Sequence, residues 1–173
     1  MMNLRTILGM LSLAAVLLPA CGGGSSTTPA DVPPTTATLT LSSTVTGSIP
    51  PGTIIGGYDV MITLPAGVTV RSTVAPPLTD DGVVSFVTAT APPFSMVFGI
   101  YTAATSTEPG TVQVVALIAD GFLPGDFAVV NGNITAGYRP RSTDFSQPTF
   151  TVSGGNGAYL TGQMNVTASA VIR

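Results

Sequence analysis

The 173-residue sequence contains no tryptophan, no histidine and only one cysteine. It also contains no lysine, since its five basic residues are all arginines. Without these side chains the sequence offers no Ser-His-Asp triad, no Cys-His pair, no Schiff-base lysine and no zinc site of histidines or several cysteines. It therefore lacks most of the groups with which enzymes carry out catalysis.

Charge is also scarce. Charged residues make up 8% of the sequence, against about 25% in typical globular proteins, and the formal net charge is -3. A weakly acidic chain has no basic surface for a phosphate backbone, so we expect no nucleic-acid partner. The hydrophobic content of 45% argues against a disordered chain. Strand-favouring residues are interrupted by 20 glycines and 15 prolines, which is typical of many short strands joined by turns.

Residues 1–20 have the pattern of a bacterial export signal. Met1–Arg5 carries one positive charge, and Thr6–Leu18 is an apolar run shorter than the ~20 residues that span a bilayer. The following Leu18-Pro19-Ala20-Cys21 resembles the lipobox of bacterial lipoproteins. We therefore expect a signal peptide helix, cleavage before Cys21 and attachment of lipid, such as palmitate, at Cys21. An ordinary signal peptide cut elsewhere and an uncleaved anchor are the alternatives.

The single cysteine fits lipidation, because one thiol in an exported protein has no disulfide partner within the chain. Several acyl chains on one residue exceed the single chain that binds membranes only marginally. Gly22 after Cys21, in place of aspartate, resembles a sorting signal for the outer membrane. We expect a lipid-anchored protein at the outer membrane or cell surface, on its periplasmic or extracellular face. Residues 21–36, rich in Gly, Ser, Thr and Pro, form the predicted flexible linker.

Residues 37–173 are predicted to form an all-β domain. Apolar residues recur at every second position there, most clearly in Tyr58–Leu64, and this period indicates half-buried strands. Turn signals such as Pro50-Pro51-Gly52 and Asp80-Asp81-Gly82 separate the runs. Eight or nine such strands predict a two-sheet antiparallel β-sandwich of jelly-roll type. We place five phenylalanines of these runs in the core: Phe86, Phe94, Phe98, Phe127 and Phe150.

Two segments of this domain resemble the cohesin family. They are GTIIGGYDVMITLPAGVTV at Gly52–Val70 and YTAATSTEPGTVQVVALIADGFLPGDFAVVNGNITAG at Tyr101–Gly137. Cohesins share a β-sandwich with certain carbohydrate-binding modules, so the resemblance implies a cohesin-like fold and an interaction module with a dockerin-like partner. The chain departs from the family at Leu64-Pro65-Ala66-Gly67, where many cohesins have a Tyr-Asp-Pro corner. The polar positions with which cohesins bind dockerins cannot be located in this sequence.

The remaining catalytic chemistry would be a pair of carboxylates of the glycosidase type. The eligible residues are Asp59, Asp80, Asp81, Glu108, Asp120, Asp126 and Asp144. Clefts that cleave sugars usually need aromatic platforms, and most of these acids lie in turns, where aspartate caps backbone NH groups. We therefore expect no enzymatic activity and assign no catalytic residues.

Calcium is the one cofactor that the sequence leaves open. Hard oxygen ligands in β-sandwich loops suit this ion. The candidate ligands are Asp80, Asp81, Asp120 and Asp126, with Asn131 and Asn133 beside them. The alternative is that these residues only cap turns.

Two clusters of side chains contain candidate binding residues. Tyr138, Arg139 and Arg141 combine large contact area with planar hydrogen bonding, as residues that anchor interfaces do. Tyr159 and Asn156, beside a glycine-rich turn, are weaker candidates for contact with a sugar. The alternative for the first cluster is a solvated loop.

These observations predict a surface-anchored lipoprotein with a non-catalytic, cohesin-like module for protein–protein binding. A carbohydrate-binding module that holds polysaccharide at the cell surface is the alternative function. A flat outer sheet face of mixed apolar and polar residues would favour the first, and coplanar exposed rings would favour the second. A cleft with two facing carboxylates would favour an enzyme.

Overall fold

A computed structural model describes residues 32–73, 78–87 and 93–173. The predicted signal peptide, Cys21 with its lipid, Gly22 and most of the predicted linker lie outside these residues. Among the described residues, no helix has the length and apolar character needed to cross a bilayer.

Strands are the main secondary structure of the described chain, which confirms the predicted all-β class. The strands are β1 Thr36–Val45, β2 Ile55–Thr63, β3 Val68–Thr69, β4 Val84–Phe86, β5 Ser95–Thr102, β6 Thr111–Phe122, β7 Gly125–Ile134, β8 Thr149–Gly154 and β9 Met164–Ile172. Two single-turn 3-10 segments, Ser142–Asp144 and Thr161–Gln163, lie in the loops.

The strands form two antiparallel sheets, as predicted for a sandwich. Sheet A has the order β3-β7-β1-β9, with β4 also paired to β7, and sheet B has the order β5-β6-β2-β8. Each sheet therefore combines strands that are distant in the sequence, and β1 and β2 lie at interior positions of their sheets.

Alternate side chains of both sheets fill one core. On β2, Tyr58, Val60 and Ile62 are at most 1% exposed, while Asp59 and Met61 between them face solvent. On β1, Leu39 and Leu41 are 0% exposed. Burial of one such aliphatic or aromatic side chain contributes roughly 1.5–3 kcal/mol, so this period-two pattern largely determines which face of each strand points inward.

The prediction that Phe94 and Phe98 lie in the core is wrong. Phe94 is 87% exposed, and β5 turns Val97 and Tyr101, rather than Phe98, toward the core. Gly99 lies on the same side of β5 as Val97 and Tyr101. A Cβ atom added to Gly99 would lie 2.7 Å from Cγ2 of Val84, so β4 packs closely against β5 at this one position and the side with Gly99 is the inner one.

The sandwich has two distinct ends. At the linker end, the first and last strands meet: Thr36 N donates to Arg173 O at 2.9 Å, and Arg173 N donates to Thr36 O at 3.0 Å. The distal end is formed by the opposite ends of the central strands, where β1 ends at Val45, β2 begins at Ile55 and β6 turns into β7 between Phe122 and Gly125.

Candidate functional site

The outer face of sheet B is an ordered array of side chains from all four of its strands. The pairing registers align these residues in three rows across the sheet. The rows are Met96–Leu117–Gly57–Ser153, Phe98–Val115–Asp59–Thr151 and Ile100–Gln113–Met61–Thr149. Residues within a row are direct cross-strand neighbours, with Cβ atoms about 5 Å apart, so they form one continuous surface.

This face is divided into an apolar and a polar half. Met96 is 51% exposed and Leu117 is 41% exposed, while Phe98, Val115 and Ile100 beside them are half-buried. The β8 side of the rows carries the hydroxyl groups of Thr149, Thr151 and Ser153. A contiguous apolar patch with a polar border is the anatomy of a protein-binding surface.

One carboxylate lies near the centre of this face. Gln113 Nε2 donates to both oxygens of Asp59, at 2.8 Å to Oδ1 and 3.0 Å to Oδ2. Asp59 itself is exposed. The amide therefore holds the carboxylate in a fixed orientation on the sheet, where it can accept further hydrogen bonds from outside.

At its distal end the face continues into an open groove of about 490 Å³. Phe94, Met96 and Leu117 form one wall of the groove, and Ser153–Gly155 form part of the other. Phe94 has a φ angle of 53°, in the left-handed region that costs an ordinary residue roughly 1–2 kcal/mol. An exposed aromatic ring in a strained backbone conformation is a feature that often accompanies binding sites.

The predicted cluster around Tyr138 lies at the linker end, outside this face. Tyr138 is 48% exposed and packs on the turn after β2, where a Cβ atom on Gly67 would lie 2.1 Å from its Cγ. Tyr138 and Arg139 border a shallow pocket of about 370 Å³ with Asp144. Asp144 Oδ2 accepts a hydrogen bond from the backbone N of Arg141 at 2.8 Å, so its carboxylate also stabilises the loop.

The predicted pair Tyr159 and Asn156 lies at the distal end. Asn156 Oδ1 accepts a hydrogen bond from Ala158 N at 3.1 Å, which closes the turn, and Tyr159 is 77% exposed beside β8. The structure therefore does not bring the two predicted clusters together.

The acids predicted as calcium ligands are held in separate places. Asp80–Gly82 form a turn closed by Val83 N, which donates to Asp80 O at 3.1 Å, and Gly82 O accepts from Asn131 Nδ2 at 3.2 Å. Asp126 Oδ1 accepts a hydrogen bond from Ser42 Oγ. Within the described ranges, no three acidic or cysteine residues lie close enough to share a metal ion.

The remaining predicted acids are equally dispersed. Besides Asp59 on sheet B, Glu108 lies in the exposed loop between β5 and β6, and Asp120 is exposed near the end of β6. Asp144 lies in a 3-10 turn. These positions occupy both ends of the sandwich and one sheet face.

Among the described residues, the core contains one buried polar pair. Ser43 Oγ and Tyr58 Oη are 2.7 Å apart, and Ser43 is 1% exposed. The Tyr58 ring stacks on Phe127 at a centroid distance of 4.2 Å and meets the edge of Phe122 at 4.9 Å. Burial raises the pKa of the Tyr58 phenol, and the hydrogen bond between Tyr58 and Ser43 opposes this shift in part.

Sequence reasoning did not identify the outer face of sheet B as a site. The sequence feature that could have indicated this face is the run TVQVVALIA at Thr111–Ala119, which has apolar residues at both odd and even positions. A strand with that pattern is covered on both faces, either within the protein or by a partner. The inner residues Val112, Val114 and Ala116 are 0% exposed, whereas Leu117 of the other set faces solvent.

No protein-family model, no curated protein and no solved structure matches the chain.

Proposed function

We propose that this protein is a surface-anchored lipoprotein whose β-sandwich is a non-catalytic module for binding another protein. The binding surface is the outer face of sheet B. The observation that carries this proposal is the continuous apolar half of that face around Met96, Phe98 and Leu117, which nothing within the described chain covers. The cohesin resemblance supports the same class of function and adds a dockerin-like protein as the expected partner.

The composition of the face indicates the chemistry of the partner. Methionine and phenylalanine are enriched at the centres of protein interfaces, where exclusion of water strengthens polar contacts. Asp59, held by Gln113, is the only charged residue in the three rows. A partner that fits would present an apolar surface with an arginine or lysine positioned to meet this carboxylate.

A polysaccharide is the alternative ligand, favoured by the exposure of Tyr138 and Tyr159. These two rings lie at opposite ends of the sandwich, however, and Phe98 is the only aromatic residue in the three rows of sheet B. The arrangement lacks the row of coplanar rings on which sugars stack, so the protein ligand is the better-supported proposal.

Site-specific photocrosslinking in whole cells tests the protein ligand. A photoreactive residue at Leu117 should give a discrete adduct, and Met96→Glu should remove that adduct by placing a charge inside the apolar patch. Val171 is the matched control, because it is 50% exposed and belongs to β9 of sheet A. Equal adducts from the two positions, or an adduct that Met96→Glu leaves unchanged, would exclude the outer face of sheet B as the binding surface.

The alternative and the anchor have separate tests. Retention on insoluble glucan or chitin that Tyr138→Ala or Tyr159→Ala weakens would support the carbohydrate-binding module. For the anchor, Cys21→Ala should move the protein from the membrane to the soluble fraction. A variant that stays with the membrane would contradict lipidation at Cys21.

A further inference from the structure

A second cavity lies between the two sheets at the distal end, and two irregularities in the strands create it. Leu41 pairs with Ala128 but Ser42 pairs with Asp126, so Phe127 is an extra residue in β7. This bulge turns two consecutive side chains inward, because Phe127 is 4% exposed and Ala128 is 0% exposed.

The second irregularity is in β6. The register jumps there, because Gly57 pairs with Leu117 while Ile55 pairs with Phe122. The residues between Leu117 and Phe122 therefore do not pair regularly with β2. Among them, Gly121 adopts a φ angle of 87° that only glycine takes up readily. Together the two irregular segments open a pocket of about 280 Å³ beside the turn between β6 and β7.

Aromatic and aliphatic side chains form the walls of this pocket. The residues that line it are Phe86, Ile118, Gly121, Phe122, Leu123, Asp126 and Phe127. The Phe86 and Phe122 rings are 6.2 Å apart and inclined at 44°, and the Phe122 and Phe127 rings are 6.1 Å apart at 74°. Rings at these distances are in contact, so the three form one aromatic wall of the pocket. The volume is just below the usual range for ligand pockets, which starts at about 300 Å³.

The only charged residue of the lining is acidic. Ser42 Oγ donates a hydrogen bond to Asp126 Oδ1, which fixes the carboxylate at the pocket. Within the part of the chain that the structure describes, no hydrogen bond is made to Asp126 Oδ2. No arginine lines the pocket. A carboxylate beside phenylalanine faces favours a cation, since the rings also attract positive charge through their quadrupoles.

We propose that this pocket binds a small organic amine in its protonated form, with an apolar body about the size of one phenyl ring. The apolar body lies against the aromatic wall that Phe86, Phe122 and Phe127 form, and the ammonium group lies next to Asp126. Leu123, which is 87% exposed, covers the guest from the side of the turn. This pocket is a different site from the outer face of sheet B, so a negative result for one proposal leaves the other unaffected.

Three ligands that share a phenylethyl body and differ in charge test the proposal on the full-length chain. They are 2-phenylethylamine, 2-phenylethanol and 3-phenylpropanoate, and ligand-detected NMR gives their dissociation constants. We expect the amine to bind about 5–10-fold more tightly than the alcohol, and the acid to bind most weakly, because a carboxylate at a partly exposed site contributes about 1 kcal/mol to a cation.

Two matched variants separate the carboxylate from general charge effects. Asp126→Asn should bring the amine and the alcohol to within about twofold of each other, whereas Asp120→Asn, an exposed acid of β6 outside the lining, should leave the preference intact. Leu123→Ala should weaken all three ligands. Equal binding of amine and alcohol to the unmodified chain, a preference that survives Asp126→Asn, or no binding of any ligand at millimolar concentration would each overturn the proposal.

Discussion

Removal of the Ser43 hydroxyl group will test how much the one buried polar pair contributes to stability. In Ser43→Ala, Tyr58 Oη loses the partner that lies 2.7 Å away. A buried polar group without a partner costs about 1–3 kcal/mol, so the free energy of unfolding should fall by that amount. Tyr58→Phe should cost less, because Ser43 Oγ keeps a second acceptor, Gly125 O, at 3.5 Å.

The double variant makes this prediction quantitative. With both hydroxyl groups removed, neither of them is left buried without its partner, so Ser43→Ala with Tyr58→Phe should cost less than the sum of the single changes. Urea denaturation followed by circular dichroism measures the free energies of unfolding of the unmodified chain, the two single variants and the double variant. The slope of the free energy against urea concentration should be the same for all four. If the two single changes add within about 0.3 kcal/mol, the hydroxyl groups do not interact and the reasoning fails.

Three further predictions concern pH and backbone conformation. Burial raises the pKa of Tyr58 above its usual value near 10, so Tyr58 ionises at lower pH in the unfolded chain than in the folded one. The free energy of unfolding should therefore stay constant below about pH 10 and fall above it. Urea denaturation at increasing pH measures this fall, which should be shallower in Tyr58→Phe. Gly99→Ala should lower the free energy of unfolding by about 1–3 kcal/mol through contact with Val84, whereas Gly162→Ala, with nothing within 4 Å of the new Cβ, should leave it nearly unchanged. Phe94→Gly should raise the thermal midpoint or leave it unchanged, because it relieves a left-handed φ at an exposed side chain; a clear decrease would mean that the ring packs against the protein.

The sequence predicted the sandwich because its strands alternate regularly. Tyr58, Val60 and Ile62 occupy the inner face of β2, as the period-two pattern of Tyr58–Leu64 requires. Wherever only one side of a strand is apolar, burial decides its orientation, and that information is local in the sequence.

The pattern failed where a strand is apolar on both sides. On β5 the larger side chains, such as Phe98, suggested the inner face, but Gly99 and the close approach of β4 reverse the choice. That contact depends on which strands are neighbours, which a local pattern does not contain.

The candidate sites depended even more on long-range order. Tyr138 and Tyr159 are 21 positions apart in the sequence but occupy opposite ends of the fold, because β8 runs between them. The pocket at Phe127 arises from a bulge that only the pairing register reveals. Period-two reasoning assigns Phe127 and Ala128 to opposite faces, so it could not find that pocket.

The position of β1 determines how the domain would respond to mechanical force. This strand is the first that the structure describes, and it pairs with β7 on one side and β9 on the other along almost its whole length. If the protein is anchored at Cys21, as we propose, a load on the anchor reaches the domain through β1. Removal of this strand from its sheet would break two antiparallel ladders rather than one. The strand at which such a load would enter the domain is thus held on both sides.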